Sequence, residues 1–324
     1  MRIIAIIFFA VNFLISTCVV ANDTIGGLSA GGIEFEKTKD ISMNKEILTI
    51  SKKLVRVEYE FENISDHTIN KKILFPMPFY SFNEGCSDER TYGDLENFKL
   101  WVDGKKIKTM KSIRAELPGG IDVTAKLKNM GFNEDDIANY MGVKSYCTEP
   151  NHNLPEKYTK NINLLIKEGL VGSKPLENVY LPLWKTSHVY SWDQEFLPKK
   201  IVHVVHEYTP DTEMHSGGTD FKNLSNLDSD FCFTNDTIKM AIKLQGRKDV
   251  LYDSIVKYIL VTGANWSGPI KDFTLNIKKD KQDEIVSLCF DGGFKKMDSL
   301  TVTSHIINFV PQKDLNVAFF YKNN

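Results

Sequence analysis

Apolar and polar residues alternate with period two over much of the chain. Across residues 53–63, Val55, Val57, Tyr59 and Phe61 fall on one side and Arg56, Glu58, Glu60 and Glu62 on the other. That pattern predicts a half-buried antiparallel strand. Asn63-Ile64-Ser65-Asp66 reads as a turn, and residues 69–75 as the returning strand, ended by Pro76 and Pro78. Residues 98–102 and 107–113 predict two further strands joined through Asp103-Gly104, a strong hairpin signal. From Leu117 the period changes. Asp122 is placed to cap a short helix carrying Leu127 and Met130, closed by Gly131. Asn133 is placed to cap a second, carrying Ile137, Tyr140 and Met141 and closed by Gly142. Pro155 opens a third, with Tyr158, Ile162 and Leu165 on one side and Gly169 after it.

Strands return beyond this point. Residues 180–190 are aromatic and β-branched, residues 200–208 are apolar, and residues 214–229 form a polar loop. Residues 237–244 have helical spacing with Gly246 as a stop. Four strands then close the chain, over 273–277, 285–290, 300–309 and 315–321. The expected fold is mainly β, α+β overall, with β-sandwich-like antiparallel sheets and a small helical insertion. The expected divisions are a leader over 1–21, an N-terminal β region over 22–117, the helical insertion over 118–172, and a C-terminal β-rich region over 173–324.

The first residues change the picture from fold to address. Arg2 precedes the apolar run Ile3-Ile4-Ala5-Ile6-Ile7-Phe8-Phe9-Ala10-Val11, and Val19-Val20-Ala21 follows as a small-residue exit. This is the pattern of a secretory signal, cut after Ala21. Asn12 breaks the run, which falls short of the ~20 apolar residues that span a bilayer. Acylation at Cys18 is disfavoured by the bulk of Thr17 before it. No second long apolar segment occurs, so no transmembrane segment is expected in the mature chain, which is expected to be periplasmic or secreted.

Forty basic and 42 acidic residues are interspersed, for a net charge of −2. No basic stripe points to nucleic acid. Beyond the leader stand Cys86, Cys147, Cys232 and Cys289. An even number in an oxidising compartment suggests two disulfides, with three possible pairings. Cys232 and Cys289 both sit in apolar, strand-like settings, and Cys86 and Cys147 in polar loops, which favours Cys232–Cys289 and Cys86–Cys147. No C-x-x-C spacing suggests zinc.

The candidate chemistry is thin. Gly27-Leu28-Ser29-Ala30-Gly31 matches the G-x-S-x-G nucleophile pattern, but no strand has room to precede it, so a flexible glycine-rich entry is expected instead. His203-Val204-Val205-His206-Glu207 resembles a scrambled zinc-protease motif. On a strand its two histidines point to opposite faces, one packed and one solvated. Tyr180, Trp184, Tyr190 and Trp192 form an aromatic cluster. Trp184, Tyr190 and Trp192 are the candidates for stacking against a sugar ring, with core packing as the bland reading. The acids of Asn133-Glu134-Asp135-Asp136 suit a first helical turn. Asp228 and Asp230 lack the further oxygens that calcium needs. Five Asn-x-Ser/Thr sites, at Asn22, Asn63, Asn223, Asn235 and Asn265, matter only in a eukaryotic secretory route. No catalytic residue, metal site or cofactor is assigned.

A resemblance runs along the whole mature chain. It is carried by Asn22-Asp23, Gly31-Gly32-Ile33, Ile41-Ser42-Met43, Ile50-Ser51 and Phe75-Pro76-Met77-Pro78. It continues in Trp192-Asp193-Gln194-Glu195-Phe196, His206-Glu207-Tyr208-Thr209-Pro210 and Phe231-Cys232. It is most specific over residues 258–270, which include Thr262-Gly263-Ala264-Asn265-Trp266-Ser267-Gly268-Pro269, and it ends in Ser287-Leu288-Cys289 and Asp314-Leu315. These segments resemble the bacterial exported domain-of-unknown-function family 4424. The resemblance implies export, one full-length family unit and a Cys232–Cys289 bond; it implies no catalytic residue. Trp266 to Pro269 is expected to be a tight turn with Trp266 half-buried. The expected function is a non-catalytic binding or scaffold module that meets an envelope protein or a glycan. The alternative is an envelope hydrolase acting on sugars.

Overall fold

A computed structural model describes residues 23–29, 32–81, 97–138, 156–172, 182–214, 217–223, 231–248 and 250–322. The fold is mostly β, in three sheets. With strands numbered in chain order, the first sheet contains β1 (Thr24–Ser29), β2 (Gly32–Glu36), β5 (Ile69–Pro76), β6 (Tyr80–Ser81), β9 (Met110–Leu117), β10 (Ile121–Asp122) and β11 (Lys185–Phe196). Its order is β10-β9-β11-β5-β1-β2, with β6 paired to β11. The second contains β3 (Ile41–Ile50), β4 (Val55–Asn63), β7 (Lys99–Val102), β8 (Lys105–Ile107), β12 (Ile201–Tyr208), β15 (Ile270–Lys278), β17 (Lys295–Lys296) and β18 (Thr301–Phe309). Its order is β17-β18-β15-β3-β4-β12-β7-β8. The third orders β13 (Thr212–Glu213), β14 (Tyr252–Tyr258), β19 (Leu315–Tyr321) and β16 (Ile285–Ser287). The ladders are antiparallel except that β15 runs parallel to β3.

The sheets meet because their apolar faces match. On β4 the alternation read from the sequence is the alternation of burial: Val55, Val57, Tyr59 and Phe61 point in, and the charged residues between them point out. Those inward residues share one core with Ile73, Phe75, Tyr190 and Trp192 of the first sheet and with Val256, Tyr258, Val317 and Phe319 of the third. The eight-stranded sheet thus presents one face to both other sheets.

The helices cover other ground. α1 (Thr124–Asn129), α2 (Glu134–Ala138) and α3 (Glu156–Lys167) fall in the stretch whose period changes. Leu127, Ile137 and Leu165 form a second core with Ile113, Ala115 and Trp184 of the first sheet's region. Asp122, the expected cap, sits one position before the N-cap Val123, and its Oδ1 accepts from Thr124 N at 2.8 Å. Asn133 and Asp136 cap α2 reciprocally, each side chain accepting from the other's backbone N–H at 2.8 Å. α4 (Asn235–Gln245) begins at Thr234, whose hydroxyl accepts from Thr237 N, and stops at Gly246. It packs on the third sheet, where Ala241 meets Phe221, Phe231 and Phe320.

Three elements differ from the sequence reading. β3 has a register shift between Met43 and Lys45, a bulge that interrupts period two and hides the strand from a pattern search. β14 is buried on both faces, so it has no polar alternation to read. Gly27, Leu28 and Ser29, part of the expected flexible glycine-rich entry, lie in β1, which pairs with β2 and sets Ser29 opposite Gly32. Cys232 and Cys289 are bonded, with Cα atoms 4.9 Å apart. Neither lies in a strand: Cys232 has a left-handed backbone (φ 47°) just before α4. Cys86 and Cys147 lie outside the described residues.

Candidate functional site

Two regions gather chemistry, one inside and one outside. The inner one lies between the first and second sheets. Residues of β12 alternate, so His203 is exposed and His206 points inward. His206 Nε2 stands 3.2 Å from Asp23 Oδ2, and both side chains have 0% exposure. The imidazole is ringed by Phe75 at 4.8 Å, Tyr59 and Phe98 at 5.4 Å and Trp192 at 5.5 Å between centroids. The Tyr59 and Tyr258 hydroxyls are 3.2 Å apart, and Glu46, also fully buried, acts on both rings. Burial pushes the Asp23 carboxyl up from its usual range, against the opposing pull of His206. Burial likewise raises the Tyr59, Tyr258 and Tyr208 hydroxyls. These groups have no path to solvent in this conformation, so they bind the layers together and offer no surface to a solute.

A second, half-buried imidazole belongs to the helix-covered part of the first sheet. His188 Nε2 lies 3.3 Å from the Tyr80 hydroxyl, which also donates to Ala138 O. Burial, helped by Lys111, lowers the His188 pKa to about 4, so the ring is neutral at ordinary pH.

The three aromatic candidates are interior. Trp184, Tyr190 and Trp192 are 0%, 4% and 3% exposed. Tyr190 stacks on Phe98 at 4.0 Å, and Trp192 faces His206. Trp184 belongs to the core under the helices. No ring face of the three is open for a sugar. Tyr180, Asp228 and Asp230 lie outside the described residues. Among the described residues, no group of three or more His, Cys, Asp or Glu side chains is placed to hold a metal.

The outer region is the opposite face of the eight-stranded sheet. Strand register lines up His305, Thr274, Ile47, Glu58, Val205, Trp101 and Lys106 in one row across seven strands. All seven are partly or fully exposed. A neighbouring row carries Ile307, Asp272, Lys45, Glu60 and His203. Charges are interlaced on this face: Arg56 bridges Glu58 and Glu207, Lys271 lies 3.7 Å from Glu62, and His305 lies 3.1 Å from Asp272. The helices make their main contacts with the first and third sheets, so among the described residues this face carries no second layer. Trp101 is the tryptophan that remains partly exposed, since Trp184, Trp192 and Trp266 are buried. The sequence reading placed it in the strand over 98–102 and gave it no role.

Among known proteins, a solved structure from Legionella pneumophila, provisionally described as a nutrient binding protein, is similar over 92% of this chain and 72% of its own, at 15% identity and a TM-score of 0.44. No curated protein matches. A family model described as a domain of unknown function, DUF4424, matches residues 21–318, and the chain belongs to that family.

Proposed function

We propose that the protein is an exported, non-catalytic binding or scaffold module, and that it meets its partner through the outer face of the eight-stranded sheet. The observation that supports this most is the asymmetry of that sheet. One face is packed by two other sheets, and the other, among the described residues, carries no second layer over seven strands and holds Trp101 among interlaced charges. A broad pleated surface with a tryptophan and many polar side chains suits a protein or glycan partner. Export rests on the leader, and the Cys232–Cys289 bond is what an oxidising compartment permits. The alternative, an envelope hydrolase acting on sugars, needs two carboxylates that a sugar can reach. Asp23 and Glu46, the acids of the aromatic interior, have no exposed surface.

The test compares the immobilised mature protein with the Trp101→Ala/Glu60→Lys variant as bait for a purified envelope fraction. We expect the wild type to retain a saturable partner and the variant to bind it at least tenfold more weakly, about 1.4 kcal/mol. Equal retention by both would remove the face from the account. A wild type that retains nothing, yet hydrolyses a glycan, would turn the reading to the hydrolase.

A further inference from the structure

The N-terminal hairpin is held to the molecule by few backbone bonds. β1 meets β5 only through the pairs Thr24–Leu74 and Ile25–Ile73. Among the described residues its other ties are the Lys71–Glu36 ion pair at 3.1 Å, the packing of Phe35 on Leu74 and Val189, and a set of contacts at its first residues. The Trp266 indole N–H donates to Asp23 O at 2.7 Å, Asn265 Nδ2 donates to Thr24 Oγ1 at 3.1 Å, and the Asp23 carboxylate meets His206 in the aromatic interior. We propose that the Asp23–His206 pair is a pH-sensitive latch that fastens the β1–β2 hairpin, the edge of the first sheet, to the second sheet.

The geometry carries this. A carboxylate and an imidazole in contact, both fully buried, are stable there only with a compensated charge or with the charge removed by a proton. Among the described residues, Tyr59 on β4 and Tyr258 on β14 feel the Asp23 charge, and Glu46 on β3 and Tyr208 on β12 act on Tyr258 beside them. The three hydroxyls are held protonated by burial, and the contact with His206 opposes the rise that burial imposes on Asp23. When the hairpin lifts, Asp23 enters water and returns to an ordinary carboxylate. The sign follows from linkage. Docked Asp23 has the raised pKa and keeps a proton where the hydrated group has lost it. Docking therefore strengthens as the pH falls through the docked value and levels off below the ordinary carboxylate range, near 4. It weakens as the pH rises through the docked value. Lifting the hairpin bares the β5 edge at Ile73 and Leu74, so the latch governs how much sheet edge the protein offers.

Amide hydrogen exchange on the intact mature protein tests this, with protection factors corrected for the intrinsic pH dependence of exchange. We expect the amides of residues 24–28 to lose about tenfold or more of their protection between pH ~4 and pH ~8, a tenfold change corresponding to one unit of pKa difference. Those of β4 should hold constant. Asp23→Asn should flatten the β1 response, whereas Glu46→Gln should retain it. A flat β1 profile in the wild type overturns the proposal, and that measurement stands even if Asp23→Asn fails to fold. A response that survives in folded Asp23→Asn, or one that disappears in Glu46→Gln, overturns it as well.

Discussion

Trp266 shows how much a single residue can tie together. It ends a short 3-10 turn at Val261–Asn265, and the sequence reading has it half-buried in a tight turn. The turn is there, with Gly268 in the left-handed region, but Trp266 is only 4% exposed. Its ring packs on Phe61 at 4.4 Å, and its N–H reaches Asp23 O, 243 positions away in the chain. That second role is invisible locally, because a hydrogen bond across the fold leaves no periodic mark. Trp266→Phe should keep the ring contact and strand a buried carbonyl, costing roughly 1–3 kcal/mol in denaturant unfolding; a cost near zero would show that the carbonyl finds water. Asn63 makes the same point in reverse. Read as an Asn-x-Ser sequon, it is fully buried, and its amide donates to His67 O and Phe196 O. His206 was separable from His203 on strand alternation alone, but its partner Asp23 was not, since nothing in the chain links positions 183 apart until the sheets close.

At the scale of elements, legibility followed exposure. β4 and β12 have one wet face, so alternation marks them plainly. β14, buried on both faces, and β3, with its bulge, give no such mark. The Asn133 cap of α2 and the Gly246 stop of α4 were legible, because those signals are local. The Cys232–Cys289 bond joins the segment before α4 to the segment after β16, across 57 positions. Both cysteines are apolar in context without being in strands, so the pairing could be inferred while the local conformation could not. Replacing both by Ala should lower stability by ~2–4 kcal/mol, by releasing that loop in the unfolded chain. Chemical denaturation of the double variant reads this directly. An unchanged midpoint would mean that the Phe221, Phe231 and Phe320 core holds the segment alone.

At the scale of the whole molecule, the sheets were predictable in kind and not in arrangement. Mainly antiparallel β structure with a few short helices follows from alternation and punctuation. That three sheets share one core, and that the middle one has a face without a second layer among the described residues, depends on long-range pairings such as the parallel β3–β15 ladder. Trp184, Tyr190 and Trp192 take the core packing that the sequence reading set against sugar stacking, and Trp101, given no role there, is partly exposed on the outer face. Oxidative footprinting of tryptophan, with and without the captured envelope partner, tests this layering and the proposed contact face together. The account predicts that Trp101 is modified in the free protein and shielded in the complex, while Trp184, Trp192 and Trp266 stay unreactive in both. Reactivity at Trp184 or Trp192 that the partner suppresses, with Trp101 unaffected, would contradict it.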